Sequence, residues 1–583
     1  MSLGLLWFLF SQGCLLLCIR AQTVEIRFVV EEVNITRMCL EQPLLTVNGM
    51  FPGPNITVTR NDTVYVNVLN NGPYPITIHW HGVKQHRNPW SDGPEYITQN
   101  PIPANGGSFK YTLVFSDEEG TLWWHAHSDW SRASVHGAII VLPFPDKKKK
   151  RKYPFEPQPD HTQTIILGSW FNNRTLMEDY RDSVIWGGDV EGATSFAING
   201  YPGQLETPCD NDMYKFVVHS GKNYHLRIIN AVMEEEMFFA ISGHNFTVVG
   251  LDGAYLTPIP TNYITITPGQ TMDILLTTNQ TPRSYYMGGK AFVDSKFGTP
   301  MNSTTRAILQ YRNYKGTETP VDLGDLLPAD SKNASYAKAF TERVRTSGLT
   351  GNDDYPITVP TDSEINKNFT ITISVNTLPC PYPSNNCTAP QNYNATWTGM
   401  HAASLNNQRF VTQNVNILQA YRCNIEDVYT EDFPDRPEEF DYTGATGNNE
   451  TVPTVGTKVM TVDYGEAVEI VFQGTNVGNA ENHPMHIHGY NFYLVGSDDG
   501  NFNYSSRETF NLTSPAEANT FGVPKNGWLA VRFWANNPGV WFLHCHLERH
   551  ASWGMAGVLI VKNTTTDVKQ SLLDPPAGYP PCP

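Results

Sequence analysis

The chain has 583 residues, 40% of them hydrophobic, and a formal net charge of −17. That length exceeds what one hydrophobic core can organise and predicts about two to four domains. The acidic balance excludes a nucleic-acid partner and favours solubility, without naming a substrate.

The chain opens with "MSLGLLWFLFSQGCLLLCIRAQT", an apolar run of signal-peptide length that carries no early lysine or arginine and has a cleavage site near Ala21. Ser11, Gln12 and Gly13 interrupt it short of spanning length, so residues 1–21 read as a secretory leader and not a membrane anchor. No later apolar segment is long enough to cross a bilayer. About fifteen Asn-x-Ser/Thr sequons, among them Asn34, Asn55, Asn245, Asn333, Asn394 and Asn511, suit a secreted glycoprotein. Without the leader's Cys14 and Cys18, the cysteines are Cys39, Cys209, Cys380, Cys387, Cys423, Cys545 and Cys582. An odd set in an oxidising compartment leaves one spare, and Cys545, between two histidines, is the candidate. The others could form up to three bridges in any of fifteen pairings.

From residue 22 onward the texture is that of short strands. Residues 43–71, "PLLTVNGMFPGPNITVTRNDTVYVNVLNN", alternate β-branched with polar residues and break at Asn-Gly and Pro-Gly, and similar segments recur to the end. This predicts an all-β chain of stacked Greek-key sandwiches or barrels. "TVNGMFPG" at 46–53 is echoed by "AINGYPGQ" at 197–204, and "GTLWWHAH" ending at His127 by "GVWFLHCH" ending at His546, so the domains repeat. The expected division is a first domain at 22–145, a proline- and lysine-rich linker at 146–160, a second domain at 161–315, a polar linker region at 316–365 and a third domain at 366–583. The basic run at 147–152 reads as a solvated tether, since a leader leaves no place for nuclear localisation.

Of seventeen histidines, ten fall in four clusters: His79 and His81 in "HWHG", His125 and His127 in "HAH", His483, His486 and His488 in "HPMHIHG", and His544, His546 and His550 in "HCHLERH". His86, His136, His161, His219, His225, His244 and His401 stand alone and read as ordinary surface or core residues. In a strand, residues two apart share a face, so each His-x-His presents two imidazoles to a common point. The same alternation sends Cys545 to the face opposite His544 and His546, toward a second site a few covalent bonds away. A cysteine with two histidines and a weak axial methionine is the trigonal blue-copper set. His550 is close in sequence, His483 can come from the preceding strand, and Met555 is the axial candidate. Zinc is the rival, but a structural zinc site closes with four strong ligands and leaves the other imidazoles unexplained.

The four clusters and their order resemble the multicopper oxidases, and "HWHGVKQHRNPWSDGPEYITQNPI", "GTLWWHAHSDWSRASVHGAIIVLP" and "HPMHIHGYNFYLVG" resemble the plant-type laccases over nearly the whole mature chain. The resemblance implies three cupredoxin domains and four copper ions: a type 1 copper in the third domain, and a trinuclear cluster of one type 2 and two type 3 ions between the first and third. It assigns His483, Cys545 and His550 to type 1 with Met555 axial, and His79 and His486 to type 2. It assigns His81, His125 and His546 to one type 3 copper, and His127, His488 and His544 to the other. The middle domain contains no His-x-His and is expected to serve only as spacer and pocket wall.

The implied activity is a secreted, apoplastic laccase. Phenols such as lignin precursors give single electrons at the type 1 copper through His483, Cys545 carries them to the cluster, and dioxygen takes four and becomes water. Proton delivery calls for a carboxylate beside the cluster. Asp92 in "WSDGPEY" matches a family position with that role, and Glu548 is the second candidate. Asp92 also reads as a turn residue before Gly93 and Pro94. Ascorbate oxidase and ferroxidase activity are the alternatives within the class, and a structural cell-wall glycoprotein without catalysis is the alternative outside it. A monomer is expected, with phenolic small molecules and dioxygen as partners and no nucleic acid. Cys423 and the acidic run "YTEDFPDRPEEFDY" depart from the family pattern and are read as reshaping the pocket.

Overall fold

The structure is a computed structural model describing residues 22–144, 152–172, 177, 192–203, 213–295, 301, 303–352, 354–379, 387–388, 396–397, 399–437, 452–476, 480–564 and 569–583. The leader, most of the basic run, Cys209, Cys380 and the Asn394 sequon lie outside these residues.

Strands dominate, and their sequence explains them. In Thr63–Asn70, Val64, Val66 and Val68 are buried while Asn67 is exposed, the period-two pattern of a strand with one wet face. Apart from a two-stranded pair at Cys387–Thr388 and Thr396–Trp397, the described strands form two facing sheets in each of three successive units: four and four strands, then six and five, then eight and five. The first unit pairs Leu40–Val47, Thr23–Arg37, Thr63–Asn70 and Gly107–Val114 in one sheet, and Ile56–Thr59, His136–Leu142, Gly120–Ala126 and Ile78–His81 in the other. Its core holds Phe28, Val64, Val66, Trp80 and Trp124.

The units are copies in topology. The opening strand of each runs parallel to a later one: Thr23–Arg37 with Thr63–Asn70, His161–Trp170 with Asn223–Ala231, and Ile365–Leu378 with Ala467–Gly474. The second sheet of each has its own parallel pair: Ile56–Thr59 with His136–Leu142, Lys215–Val218 with Thr304–Tyr311, and Val459–Val462 with Ala556–Val561. Parallel neighbours need a crossover instead of a hairpin, so these six pairs record one cupredoxin-type Greek key used three times.

The echoed Asn-Gly steps are tight turns with both residues left-handed: Asn48 and Gly49 at φ 55° and 67°, Asn199 and Gly200 at φ 50° and 79°. A third copy, hidden from sequence because asparagine replaces glycine, lies at Asn406 and Asn407, φ 47° and 57°. In all three the first asparagine's Oδ1 accepts a neighbouring strand's N–H at 2.7 Å, from Val29, Ile166 and Thr372.

The segment expected as the second linker contains the helix Ala334–Arg345, which buries Ala337, Phe340 and Val344 and is capped by Asn333. Those three apolar positions recur at helical spacing, a signal diluted by the polar residues around them. Cys423, at the end of the helix Ile417–Cys423, is bonded to Cys582. Nearby, Tyr579 donates its hydroxyl to Thr98 O at 2.9 Å or Asn416 Oδ1 at 2.7 Å. Cys423 thus ties the C-terminal tail to the junction of the first and third domains. Neither it nor the described part of the acidic run lines the cavity of about 510 Å³ between the second and third domains. Cys39 is also disulfide-bonded, and Cys545 is free and buried.

Candidate metal centre

Four short strands, the residues just past their ends and one helix carry the clustered histidines: His127, His488 and His546 each follow the last residue of a strand. Ile78–His81 pairs antiparallel with Gly120–Ala126 and sets His79 opposite His125. His483–Ile487 pairs antiparallel with Gly539–Cys545 and sets His486 opposite His544 and Met485 opposite Cys545. The helix Glu548–Trp553 follows at once and supplies His550. One strand pair belongs to the first domain and the other to the third.

Between them the imidazoles gather into groups whose ligand atoms all lie within 4.8 Å of one another: His79, His81 and His486; His81, His125 and His546; and His127, His488 and His544. In the last group, Nε2 of His544 is 3.4 Å from that of His127 and 3.2 Å from that of His488. Only His79 and His81 share a group, so the expectation that each His-x-His meets at one point needs correcting. Residues two apart on a strand share a face about 6.6 Å apart along its axis, so their rings either converge, as at His79 and His81, or part toward neighbouring groups. Each of the other pairs straddles two groups.

Most of these rings are held by one nitrogen and offer the other. His79 Nδ1 donates to Asp92 O at 2.7 Å, His125 Nδ1 to Ala126 O at 2.8 Å, His486 Nδ1 to Asn519 O at 2.8 Å and His544 Nδ1 to Cys545 O at 2.8 Å. His488 Nδ1 donates to Asp92 Oδ2 at 2.9 Å. His81 is held in reverse, with Nε2 donating to Thr520 Oγ1 at 2.9 Å or Asn519 Oδ1 at 3.0 Å. The opposite nitrogens of His79, His81, His125 and His486, together with His546 Nε2, are buried without a hydrogen-bond partner. A buried polar atom left bare is costly unless something else satisfies it, and anchoring one ring nitrogen so that the other faces a metal is the usual arrangement of ligating histidines. Burial first, and neighbouring imidazoles next, hold His81, His125, His486, His488 and His544 well below the ordinary histidine range, so their lone pairs stay available for a metal.

Cys545 faces the other way. Its Sγ lies 3.8 Å from His483 Nδ1 and 3.9 Å from His550 Nδ1, and all three residues are buried. Burial pushes the thiol well above its ordinary value, so a metal is needed to hold it as thiolate. Met555 is fully buried and accepts the Cys545 N–H at 3.1 Å through its carbonyl, which sets it beside the cysteine. His550 Nε2 is covered by Glu481 Oε1 at 3.2 Å.

Asp92 is fully buried and touches two cluster rings: besides its bond to His488, its Oδ1 lies 3.4 Å from His79 Nδ1 and makes no hydrogen bond. Burial raises its carboxyl, against the pull of His79. It also ends a short helical turn, and at Gly93, φ 107°, any side chain would run into the Ile78 carbonyl. Glu548 does not reach the rings. Its Oε2 accepts from Arg132 Nε at 2.8 Å, and Arg132 Nη1 stands 3.2 Å from His546 Nδ1. Sequence reasoning did not single out Arg132, though it lies within a quoted motif, nor Asn519, Thr520 and Gly269. At Gly269 an added Cβ would sit 2.8 Å from the His546 ring. The isolated histidines find structural partners instead: His225 bonds Asp273, His244 bonds Tyr311 and His136 bonds the Arg132 carbonyl.

Three imidazole groups backed by a cysteine-histidine pocket on the reverse face of one strand define a protein that holds several copper ions in two linked centres. Multicopper oxidase family profiles match residues 29–146, 161–314 and 431–565. The chain is 45% identical to Laccase-14 of Arabidopsis thaliana over 560 residues, covering 95% of this chain and 93% of that protein. It is likewise 45% identical to Putative laccase-9 of Oryza sativa subsp. japonica over 575 residues, 96% of this chain and 95% of that one. Among solved structures, the laccase of Botrytis aclada shares the fold at 23% identity and TM-score 0.69, covering 94% of this chain and 89% of that one. Fet3p, described as a multicopper oxidase that functions in iron import, shares it at 21% identity and TM-score 0.67, covering 92% and 90%. The chain belongs to the multicopper oxidase family and, within it, to the laccases. Its cofactor is copper, at a type 1 site and a trinuclear cluster.

Proposed function

We propose that this laccase oxidises phenols such as lignin precursors in the apoplast, with dioxygen as the electron acceptor. Copper bound at the two centres supplies one-electron uptake from the phenol and four-electron reduction of dioxygen to water. On this reading His483, Cys545 and His550 would hold the type 1 ion, with Met555 offering its thioether beside them. His79 and His486 hold type 2; His81, His125 and His546 hold one type 3 ion, and His127, His488 and His544 the other. We divide the chain into domains at 22–145, 161–315 and 366–583, joined by linkers at 146–160 and 316–365.

The observation that carries the reading is the two-faced stretch at Cys545: its thiol meets His483 and His550 while His544 and His546, bonded to it through the backbone, meet the other groups. Electrons reaching the thiol are a few covalent bonds from the second centre. Beside His483 lies a cavity of about 510 Å³ between the second and third domains, lined by Glu236, Phe292, Asp294, Asn482, Phe521 and Lys525. That size suits a small aromatic ligand, and Asn482 carries its wall to the residue before His483. Glu481 covers His550, and on this reading a phenol hands over its electron through His483, which follows the cavity-lining Asn482 in the chain. Asp92 holds and passes protons at Oδ1 for the oxygen-reducing side, and Glu548 acts only through Arg132.

Secretion is supported by the leader, by sequons exposed at Asn34, Asn55 and Asn245, and by the disulfides. Among the described residues no helix is long and apolar enough to cross a membrane. Oxygen uptake by the purified enzyme with methoxyphenols, ascorbate and ferrous ion side by side tests the substrate class. Methoxyphenols are expected to turn over most efficiently, and ascorbate or ferrous ion outrunning every phenol would replace the reading.

A further inference from the structure

We infer that Asp252, in the middle domain that supplies no ligand, is a positioning residue for the trinuclear site and acts through Asn519 and Thr520 on His81 and His486. The inference rests on the assignment of those two histidines as copper ligands. Asp252 is 2% exposed. Its Oδ1 accepts from Thr271 N at 2.8 Å within its own domain, and its Oδ2 accepts from both Asn519 N and Thr520 N at 3.1 Å in the third. Gln270 of the middle domain adds a second tie, donating Nε2 to Thr520 O at 3.1 Å.

What those ties hold in place is a tautomer lock. Thr520 Oγ1 donates its one proton to Asn519 Oδ1 at 2.8 Å. Its remaining capacity is for accepting, and two rings approach it: His81 Nε2 at 2.9 Å and His486 Nδ1 at 3.0 Å. Both ring nitrogens must therefore carry hydrogen. The lone pairs are left on His81 Nδ1 and His486 Nε2, the two atoms that are buried without a partner and face the cluster. Thr520 Oγ1, together with the Asn519 carbonyl that also accepts from His486 Nδ1 at 2.8 Å, thus sets the coordinating face of a ring from the first domain and a ring from the third, stacked with centroids 3.8 Å apart. The peptide bearing that hydroxyl is pinned by a carboxylate of the second. The middle domain is more than the spacer its lack of His-x-His suggests.

Asp252→Asn keeps the volume but turns one acceptor oxygen into an NH₂ that confronts N–H donors on one side or the other. In the copper-loaded full-length enzyme, the type 2 electron paramagnetic resonance signal is expected to change. Re-oxidation by dioxygen should slow about 10–100-fold, as when other supports of ligating histidines are removed. The type 1 absorption band and its anaerobic reduction by a methoxyphenol should stay as in wild type. If that variant does not fold, Gln270→Leu cuts the second tie and is expected to shift the same signal in the same direction. Asp273→Asn is the control, because that buried carboxylate joins the first and second domains through Thr121 without touching Asn519 or Thr520. An unchanged type 2 signal with normal re-oxidation in the folded variants overturns the inference. So does an equal change in Asp273→Asn, which would make the effect one of domain packing. Failure of the wild type to oxidise phenols would remove the substrate assignment while leaving these signals to judge Asp252.

Discussion

Asp92 accepts the Nδ1–H of His488 on its Oδ2 at 2.9 Å, joining an acid of the first domain to a cluster histidine of the third. Its backbone carbonyl meanwhile holds His79. One residue so placed can orient two rings and still keep an oxygen free for a proton. Asp92→Asn removes the proton-carrying oxygen and preserves the turn. Re-oxidation by dioxygen should slow by about 10–100-fold, with type 1 reduction by phenol under anaerobic conditions little changed. Stopped-flow measurement of the two half-reactions separates them, and equal slowing of both would show a folding defect instead.

Cys545→Ser replaces the thiolate by a hard, weak ligand that copper in this pocket does not favour. The intense blue absorption and the oxidase activity should disappear while the trinuclear coppers stay bound, because His544 and His546 sit on the opposite face. Copper analysis with visible spectroscopy decides it, and a variant that remains blue would refute the ligand assignment.

Met555→Leu conserves volume in a fully buried position and should cost less than about 1.5 kcal/mol. It removes a weak sulfur donor that favours the oxidised ion, so the type 1 potential should rise. A redox titration showing no change at full copper loading would make Met555 a packing residue only.

Cys582→Ser frees the tail from Cys423 across a sequence separation of 159 residues. Loss of a bridge closing so long a loop should destabilise by roughly 2–5 kcal/mol. Since neither cysteine lines the cavity, KM for phenols should stay near that of wild type while the unfolding midpoint falls. A shifted KM would give this region a role in the pocket.

Glu236 is buried beside the cavity, and burial, with Asp294 and Glu481 adding repulsion, pushes its carboxyl up to about 7. A raised carboxyl binds its proton more tightly in the folded chain than in the unfolded one. Its contribution to stability is therefore complete below the unfolded value and is lost as pH climbs toward 7. Glu236→Gln removes that dependence, so relative to wild type the variant should gain stability between pH 5 and pH 8. Thermal unfolding at the two pH values measures the difference, and a constant offset would mean the carboxyl is not shifted.

Much of this was legible in the chain itself. Strand alternation is a local property, so "HCH" alone places Cys545 opposite His544 and His546, and "TVYVNVLN" alone declares a half-buried strand. The spare cysteine and the ten clustered histidines likewise depend only on neighbours in sequence. The third asparagine turn stayed hidden because its glycine is an asparagine, which also tolerates the left-handed conformation.

Only the tertiary structure decided which rings share a site. Strand alternation leaves open whether two same-face rings converge or part, and each group is completed from another strand: His127 finds His544 across 417 positions. It decided too that Arg132 stands between Glu548 and His546, and that Asp252 reaches Thr520 across 268. Residue types and local periodicity fix what a segment can offer. The distances between segments on separate domains follow from packing three sandwiches together, and no periodicity in the chain encodes them.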